Sequence, residues 1–316
     1  FDRGPVRYQI LDTPGLLEPT VALRRVIDRA DVLVNVTGGT LLRDEHMRVP
    51  VRIYLETDPV LPQIEIAQGK RFTLEHLGRH THWFTFGENL GAPDCDVPMT
   101  GPFRYRPTRQ PVILDWWCPG AGTVPAAAPL RFTTVASWRQ TDKDVDWRGE
   151  TLRWSKHEQF AKVQDLPRRA EHRFELALAN ADAATIARLT AAGWSVRDAV
   201  TLTKDIVPYR EYVVNSDAEF TVAKEQYVRP RSGWFSDRSA CYLAAGRPVV
   251  TQDTGFGRVL PEGRGLFAFG TLEDALGAIE AIASDYDGHA RAAREIGREC
   301  FDAETVLARL LRQALG

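Results

Sequence analysis

The stretch Val228-Arg-Pro-Arg-Ser-Gly-Trp-Phe-Ser236-Asp-Arg-Ser-Ala-Cys-Tyr-Leu-Ala-Ala-Gly246-Arg-Pro-Val-Val-Thr-Gln-Asp-Thr-Gly255 decides the fold. It reads as loop, helix, strand and turn. Ser236 suits a helix N-cap, where a hydroxyl can take a free backbone N–H. Ala240, Leu243 and Ala244 give the helix a small apolar face, and Gly246 stands where a helix ends in a left-handed residue. Pro248-Val-Val then opens a strand. A glycine loop running into a helix N-terminus presents free N–H groups and a partial positive charge, which suits a diphosphate. Arg231 and Arg238 can add charge-assisted bonds. On residue chemistry alone, a well-capped structural helix is the competing reading.

The text on either side continues the same grammar. Towards the C-terminus, helical spacing predicts Leu272–Ser284, His289–Cys300 and Glu304–Leu315, three helices with no strand between them. Upstream, strands are expected at Phe132–Ala136, Phe174–Leu178 and Phe220–Ala223, then at Pro248–Thr251 and Gly265–Phe269, with helices at Ala183–Ala192 and Ser236–Ala245. Residues 119–129 are filled by Pro, Gly and Ala with no hydrophobic period and read as a linker. Before it, strands are expected at Val6–Leu11, Val32–Val36, Val51–Leu55, Thr81–Phe86 and Val112–Trp116, with a helix over Pro19–Arg29. The partition is 1–118, an acceptor-side domain, and 130–316, a ligand-holding domain with closing helices. Both are α/β with mostly parallel sheets, facing each other across a cleft.

Composition agrees. A chain of 316 residues has room for about two domains. Lys plus Arg number 40 and Asp plus Glu 42, a net charge of −2, where a dedicated nucleic-acid binder carries a large basic excess. No run of apolar residues is long enough for a transmembrane helix. Cys95, Cys118, Cys241 and Cys300 are far apart and off any zinc spacing, so reduced thiols and a cytoplasmic setting are expected. The sequence opens on Phe1 without an initiator Met, which predicts truncation at the N-terminus.

In open parallel sheets, ligands sit beyond the carboxyl ends of strands. Three N-terminal strands end in polar or glycine-rich text. These are Thr37-Gly38-Gly39, Glu56-Thr57-Asp58-Pro59 and Gly87-Glu88-Asn89. The glycines let a ligand approach the backbone. Asp58, and after it Glu88, could take a proton from an acceptor hydroxyl. Each motif is also a good turn in its own right.

The residues from Ala218 to Phe269 resemble the donor-binding segment of two-Rossmann (GT-B) glycosyltransferases of the bacterial kind. The text Ser236-Asp-Arg-Ser-Ala-Cys-Tyr-Leu-Ala-Ala-Gly-Arg-Pro-Val-Val-Thr-Gln-Asp253 is similar to that family's helix, x-Pro-Val-Val strand and Asp-x-Gly turn. The resemblance implies a nucleoside-diphosphate sugar as donor substrate, and no cofactor and no metal. It places Ser236, Asp237 and Arg238 near the donor phosphates, behind the loop Arg231-Ser232-Gly233. Asp253, Thr254 and Gly255 would face the sugar or the cleft. Arg139 and Lys156, beyond the first strand of the second domain, would meet phosphates. One residue departs from the pattern. Cys241 stands where many members carry a Glu that holds the donor ribose, and a thiol cannot make those paired bonds. The family also usually opens with a strand and glycine loop that this sequence begins beyond.

Other constellations are weaker. Asp12-Thr-Pro-Gly15 matches a GTPase switch motif, but no phosphate loop precedes it and no base-reading motif follows. Asp94-Cys-Asp96 fits an Asp-x-Asp metal motif, yet it sits in a loop and reads as a solvated turn. His80 and His82 would share one face of an extended strand, with no third metal ligand in view. The basic and aromatic run Trp147–Phe160 lacks the basic surround of a nucleic-acid patch. No Gly-x-Ser-x-Gly elbow and no Gly-x-Gly-x-x-Gly loop occurs. The expected function is therefore sugar transfer to an unidentified acceptor, inverting or retaining. A nucleotide-sugar epimerase of the same build and a non-catalytic two-lobed binding protein are the alternatives.

Overall fold

A computed structural model describes residues 21–118, 129–140 and 143–316. The expected strand Val6–Leu11, the Asp12–Gly15 motif and nearly all of the 119–129 linker lie outside those residues. The helix expected over Pro19–Arg29 is described as Val21–Arg29.

The first sheet is four-stranded and parallel, in the order β1 (Val32–Val36), β2 (Val51–Glu56), β3 (His82–Thr85), β4 (Tyr105–Pro107). Two helices, Leu61–Ala67 and Arg71–Gly78, carry the chain from β2 to β3. Ile53, Leu55, Phe84 and Phe86 line one face of this sheet. They are covered by Leu310 and Ala314 of the last helix, Ala303–Leu315, which crosses back from the C-terminal domain.

The second sheet is six-stranded and parallel. It contains β5 (Arg131–Ser137), β8 (Arg173–Ala179), β9 (Ser195–Asp198), β10 (Ala218–Thr221), β11 (Val249–Gln252) and β12 (Leu266–Phe269). A small antiparallel hairpin, β6 (Val145–Trp147) and β7 (Glu150–Leu152), stands apart from it. The spatial order β9-β8-β5-β10-β11-β12 is the 3-2-1-4-5-6 order of the dinucleotide-binding fold. Strand order reverses between β5 and β10, where Ala218 pairs with Phe132 and Glu219 with Thr133. The crevice beyond the carboxyl ends of those two strands is the position where such sheets bind ligands.

One face of this sheet packs Phe132, Phe174, Trp194, Phe220 and Phe269 beneath the helix Leu272–Ser284. The other lies under Asp237–Ala244, whose small residues admit a close neighbour. A Cβ on Gly297 of the helix Tyr286–Phe301 would fall 2.8 Å from Ala244 Cα.

Two expectations fail locally. Val112–Trp116 is not a strand: Val112 makes an isolated bridge to Asp302, and Leu114–Trp117 is a short helix. Val112 and Trp117 share a core with Phe235, Tyr242 and Leu243, so packing on the C-terminal helix overrides β-propensity. His80 and His82 do not share a strand face. His82 starts β3, while His80 sits in the turn after Arg71–Gly78. There Asn35 Nδ2 approaches His80 Nε2 at 3.0 Å, and His80 Nδ1 lies 3.1 Å from the His76 carbonyl. Burial lowers this imidazole to about 4. A neutral ring with the proton on Nδ1 satisfies both contacts. His80 is thus a brace for Asn35, whose amide grips both backbone groups of Thr40.

Candidate active site

Beyond the carboxyl ends of β5 and β10, three cations and a carboxylate converge. Glu219 is a β10 residue, and Lys224 follows that strand directly, ahead of the short helix Glu225–Val228. Arg238 lies in the first turn of Asp237–Ala244. Lys156 ends the segment that leaves the β6–β7 hairpin and opens the helix His157–Ala161.

Arg238 uses all three of its nitrogens on the protein. It is bonded to the Glu219 carboxylate, donates 2.7 Å to the Val135 carbonyl and 2.9 Å to Thr221 Oγ1. Lys156 has no such partner. It is 7% exposed and makes no salt bridge among the described residues. Burial, then the neighbouring Arg238 and Lys224 cations, push its ammonium well below the ordinary lysine range. Glu219 and Asp58 oppose that shift without pairing with the lysine directly, and a buried lysine that no carboxylate engages can receive an anion.

The N-terminal domain closes this pocket with Asp58, two residues past β2. Tyr227 donates its hydroxyl to Asp58 Oδ1 at 2.5 Å, and Lys224 Nζ reaches the same oxygen at 3.3 Å. Lys224 also lies 3.0 Å from the centre of the Trp154 ring. Burial brings Lys224 down to about 8, with Asp58 opposing that shift. Asp237 faces the same space, pushed up to about 6 first by burial and next by the Asp58 charge. Tyr227 stacks on Trp234 with ring centres 4.3 Å apart, and Trp234 Nε1 donates 2.9 Å to the Thr57 carbonyl. Asp58, Asp237, Lys156 and Arg238, all named from the sequence, therefore meet in one place. Lys224 and Tyr227 were missed, although both follow the β10 strand end, where the rule about carboxyl ends points.

Ser236 occupies the N-cap of Asp237–Ala244 with extended backbone (φ −86°, ψ 135°), but its hydroxyl does not cap the helix.

The remaining predicted residues lie elsewhere. Arg231 pairs with Asp253 at 2.7 Å and with Asp94 of the N-terminal domain at 3.3 Å. Asp253 also accepts the Gly255 N–H at 2.7 Å. The Ser232 carbonyl takes the Asn89 N–H, while Thr254 holds Trp234 and Gly233 through its hydroxyl and carbonyl. Gly233 has φ +76°, and a Cβ there would fall 2.4 Å from Asn89 N. This loop is thus one of the places where the two domains touch. Glu88 is paired with Arg109 at 2.6 Å, both side chains nearly buried. Arg139 is exposed past β5. Thr37, Gly38 and Gly39 curl beside Tyr54 and His76, where a Cβ on Gly38 would lie 2.7 Å from His76 Nε2.

Asp94 of the Asp-x-Asp motif is occupied by Arg231, Arg258 and Asn89. Among the described residues no group of three His, Cys, Asp or Glu side chains is arranged to hold a metal, and no helix is long and apolar enough to cross a membrane. Cys241 is partly buried, and desolvation raises its thiol far above the ordinary range. It is not a reactive thiolate.

Neither a protein-family model nor a curated protein matches this chain. Solved structures do. HepE of Anabaena, crystallised with UDP and glucose, superposes with a TM-score of 0.56 at 12% identity, over 92% of this chain and 79% of its own. AviGT4, a glycosyltransferase involved in avilamycin A biosynthesis, gives 0.51 at 14% identity over 92% and 76%. A glycosyltransferase from Rickettsia africae gives 0.54 at 10% identity over 93% and 79%. Likeness at such identities is likeness of fold. Together with the two parallel sheets and the 3-2-1-4-5-6 order, it identifies the architecture as GT-B: two Rossmann-like domains facing across a cleft.

Proposed function

We propose that the protein transfers a sugar from a nucleoside-diphosphate sugar to an acceptor bound by the N-terminal domain, without a metal ion. One observation carries this reading: Lys156, a buried lysine with no salt-bridge partner among the described residues, gathered with Lys224 and Arg238 at the switch point of a complete dinucleotide-type sheet. The donor diphosphate would lie on Lys156, Lys224 and the open N-terminus of Asp237–Ala244. Protein cations and a helix terminus then neutralise the leaving group, the task a metal performs elsewhere. Past Arg238 lies a recess of about 480 Å³ lined by Val135, Thr203, Asp205, Ile206 and Tyr209, a place for the nucleoside. Asp58 is the N-terminal domain's carboxylate at this site, where an inverting reaction needs its general base. Glu88, paired with Arg109 and 12% exposed against 38% for Asp58, is less available.

UDP, GDP, ADP and TDP should be screened by thermal unfolding, with UDP first because HepE was crystallised with it. A ligand that binds only the folded state stabilises it by about 2.7 kcal/mol at one hundred times its Kd. One nucleoside diphosphate is expected to stand out, and its glucose ester to be slowly hydrolysed when no acceptor is present. No shift with any of the four at millimolar concentration would overturn the reading.

A further inference from the structure

Glu56 is the last residue of β2, is 1% exposed and makes no salt bridge among the described residues. Burial raises its carboxyl to about 8. Such a group is costly in a sheet interior, and its surroundings show what it holds. Gln63 Nε2 donates to both of its oxygens, at 2.8 and 3.0 Å, and Thr85 Oγ1 donates to one at 2.5 Å.

Each donor reaches a different loop. With its amide turned to Glu56, Gln63 aims Oε1 at the Val60 N–H, 2.6 Å away. Val60 is a β-branched residue at φ +88°. That conformation is strained and persists only where its surroundings fix it. It ends the turn that carries Asp58. Thr85, with its hydrogen given to Glu56, accepts the Gly87 N–H at 3.0 Å. Gly87 opens the second loop, which bridges to Trp234 and continues into Asn89, bonded to Ser232.

We propose that Glu56 is the positioning residue for the reaction, whose two oxygens take the Gln63 and Thr85 donors, orient both side chains and thereby fix two of the N-terminal loops that meet the donor domain. The role rests on the glycosyltransferase reading for its catalytic meaning, because the group positioned is Asp58. The geometry itself does not depend on that reading.

An isosteric swap tests it. In Glu56→Gln, the new amide meets the amide of Gln63. Gln63 must turn over, and its NH₂ then opposes the Val60 N–H. Adding Gln63→Glu reverses the polarity: residue 56 donates, and residue 63 accepts from both it and Val60. Thr85 keeps an acceptor throughout. Donor-sugar hydrolysis in Glu56→Gln should fall about 10- to 100-fold in kcat, the size of effect a small misplacement of a reacting group produces. The Kd for the nucleoside diphosphate, held by the other domain, should stay within about twofold. The double variant should recover most of the lost turnover. Gln63→Leu supplies the same loss if Glu56→Gln does not fold.

Amide hydrogen exchange gives a readout independent of activity. Residues 57–61 and 87–90 should exchange faster in either single variant and slow again in the swap. Unchanged exchange in both single variants, or a double variant no better than Glu56→Gln, overturns the proposal. If wild-type protein binds no nucleotide while the exchange pattern holds, the functional reading fails and the positioning role of Glu56 stands.

Discussion

Two segments bring a buried cation to the same end of the same sheet, and they do opposite things with it. The helix Asp237–Ala244 delivers Arg238 into a closed set of partners: a carboxylate with no exposed surface, a carbonyl and a hydroxyl. The turn before His157–Ala161 delivers Lys156 into a space where its nearest charges include two other cations. The guanidinium, rigid and many-handed, ties β5, β10 and the helix together, a structural task. The lysine, though within reach of Glu219 and Asp58, pairs with neither. A site built to receive an anion has that signature, and a site built for stability does not.

Breaking the closed half should cost most. Arg238→Met leaves the Glu219 carboxylate buried without its partner, and loss of one member of a buried pair destabilises by about 3–5 kcal/mol. Denaturant unfolding measures it. The double change Arg238→Met with Glu219→Gln should recover most of the loss, because no charge is then stranded. A single-variant loss below about 1 kcal/mol would mean that Arg238 does not hold the strands together, and the contrast would fail at its first term.

Lys156 should behave in reverse. Lys156→Met removes a desolvated lysine that pairs with no carboxylate, so the midpoint of unfolding is expected to stay or rise. Affinity for the nucleoside diphosphate should drop by about 1.5–3 kcal/mol, the worth of hydrogen bonds to charged groups, which is roughly 10- to 150-fold in Kd. Calorimetry reads both numbers on one protein. Equal losses of stability and affinity would place Lys156 with Arg238.

The contrast also marks what the sequence could and could not say. The helix ending at Gly246 and the strand after Pro248 were legible because capping, a left-handed terminus and an apolar run are local chemistry. Lys156 and Arg238 were both read as phosphate ligands, since both are basic residues at the right end of a strand–helix unit. What separates them is a partner nineteen residues away, Glu219 on another strand. Tertiary pairing of that kind leaves no local trace. The edge strand β9 was unreadable for a related reason. Ser195-Val-Arg-Asp198 is mostly exposed, with one apolar residue and no alternation to detect. Asp58 was visible as a turn carboxylate, whereas Lys224 and Tyr227, which make it part of a site, come from the other domain.

The smallest effect is on pH. Lys224 titrates near 8 in the folded protein, far below the ordinary lysine range. Its protonated form attracts a phosphate, so affinity is full below that value and declines as pH rises through it. Losing the charge while keeping a neutral contact is worth about 1 kcal/mol, roughly fivefold in Kd between pH 7.5 and 9.5. Asp237, which titrates near 6, is ionised throughout that window and adds no step. Glu56 titrates near 8 as well, behind the sheet edge, so a second variant must separate the two. Lys224→Arg keeps its charge across the range and should flatten the profile, while leaving Glu56 as it was. A decline that survives Lys224→Arg would move the titrating group to Lys156 or to Glu56 behind the sheet edge. Lys156 would then be the only lysine of the pair that meets the anion.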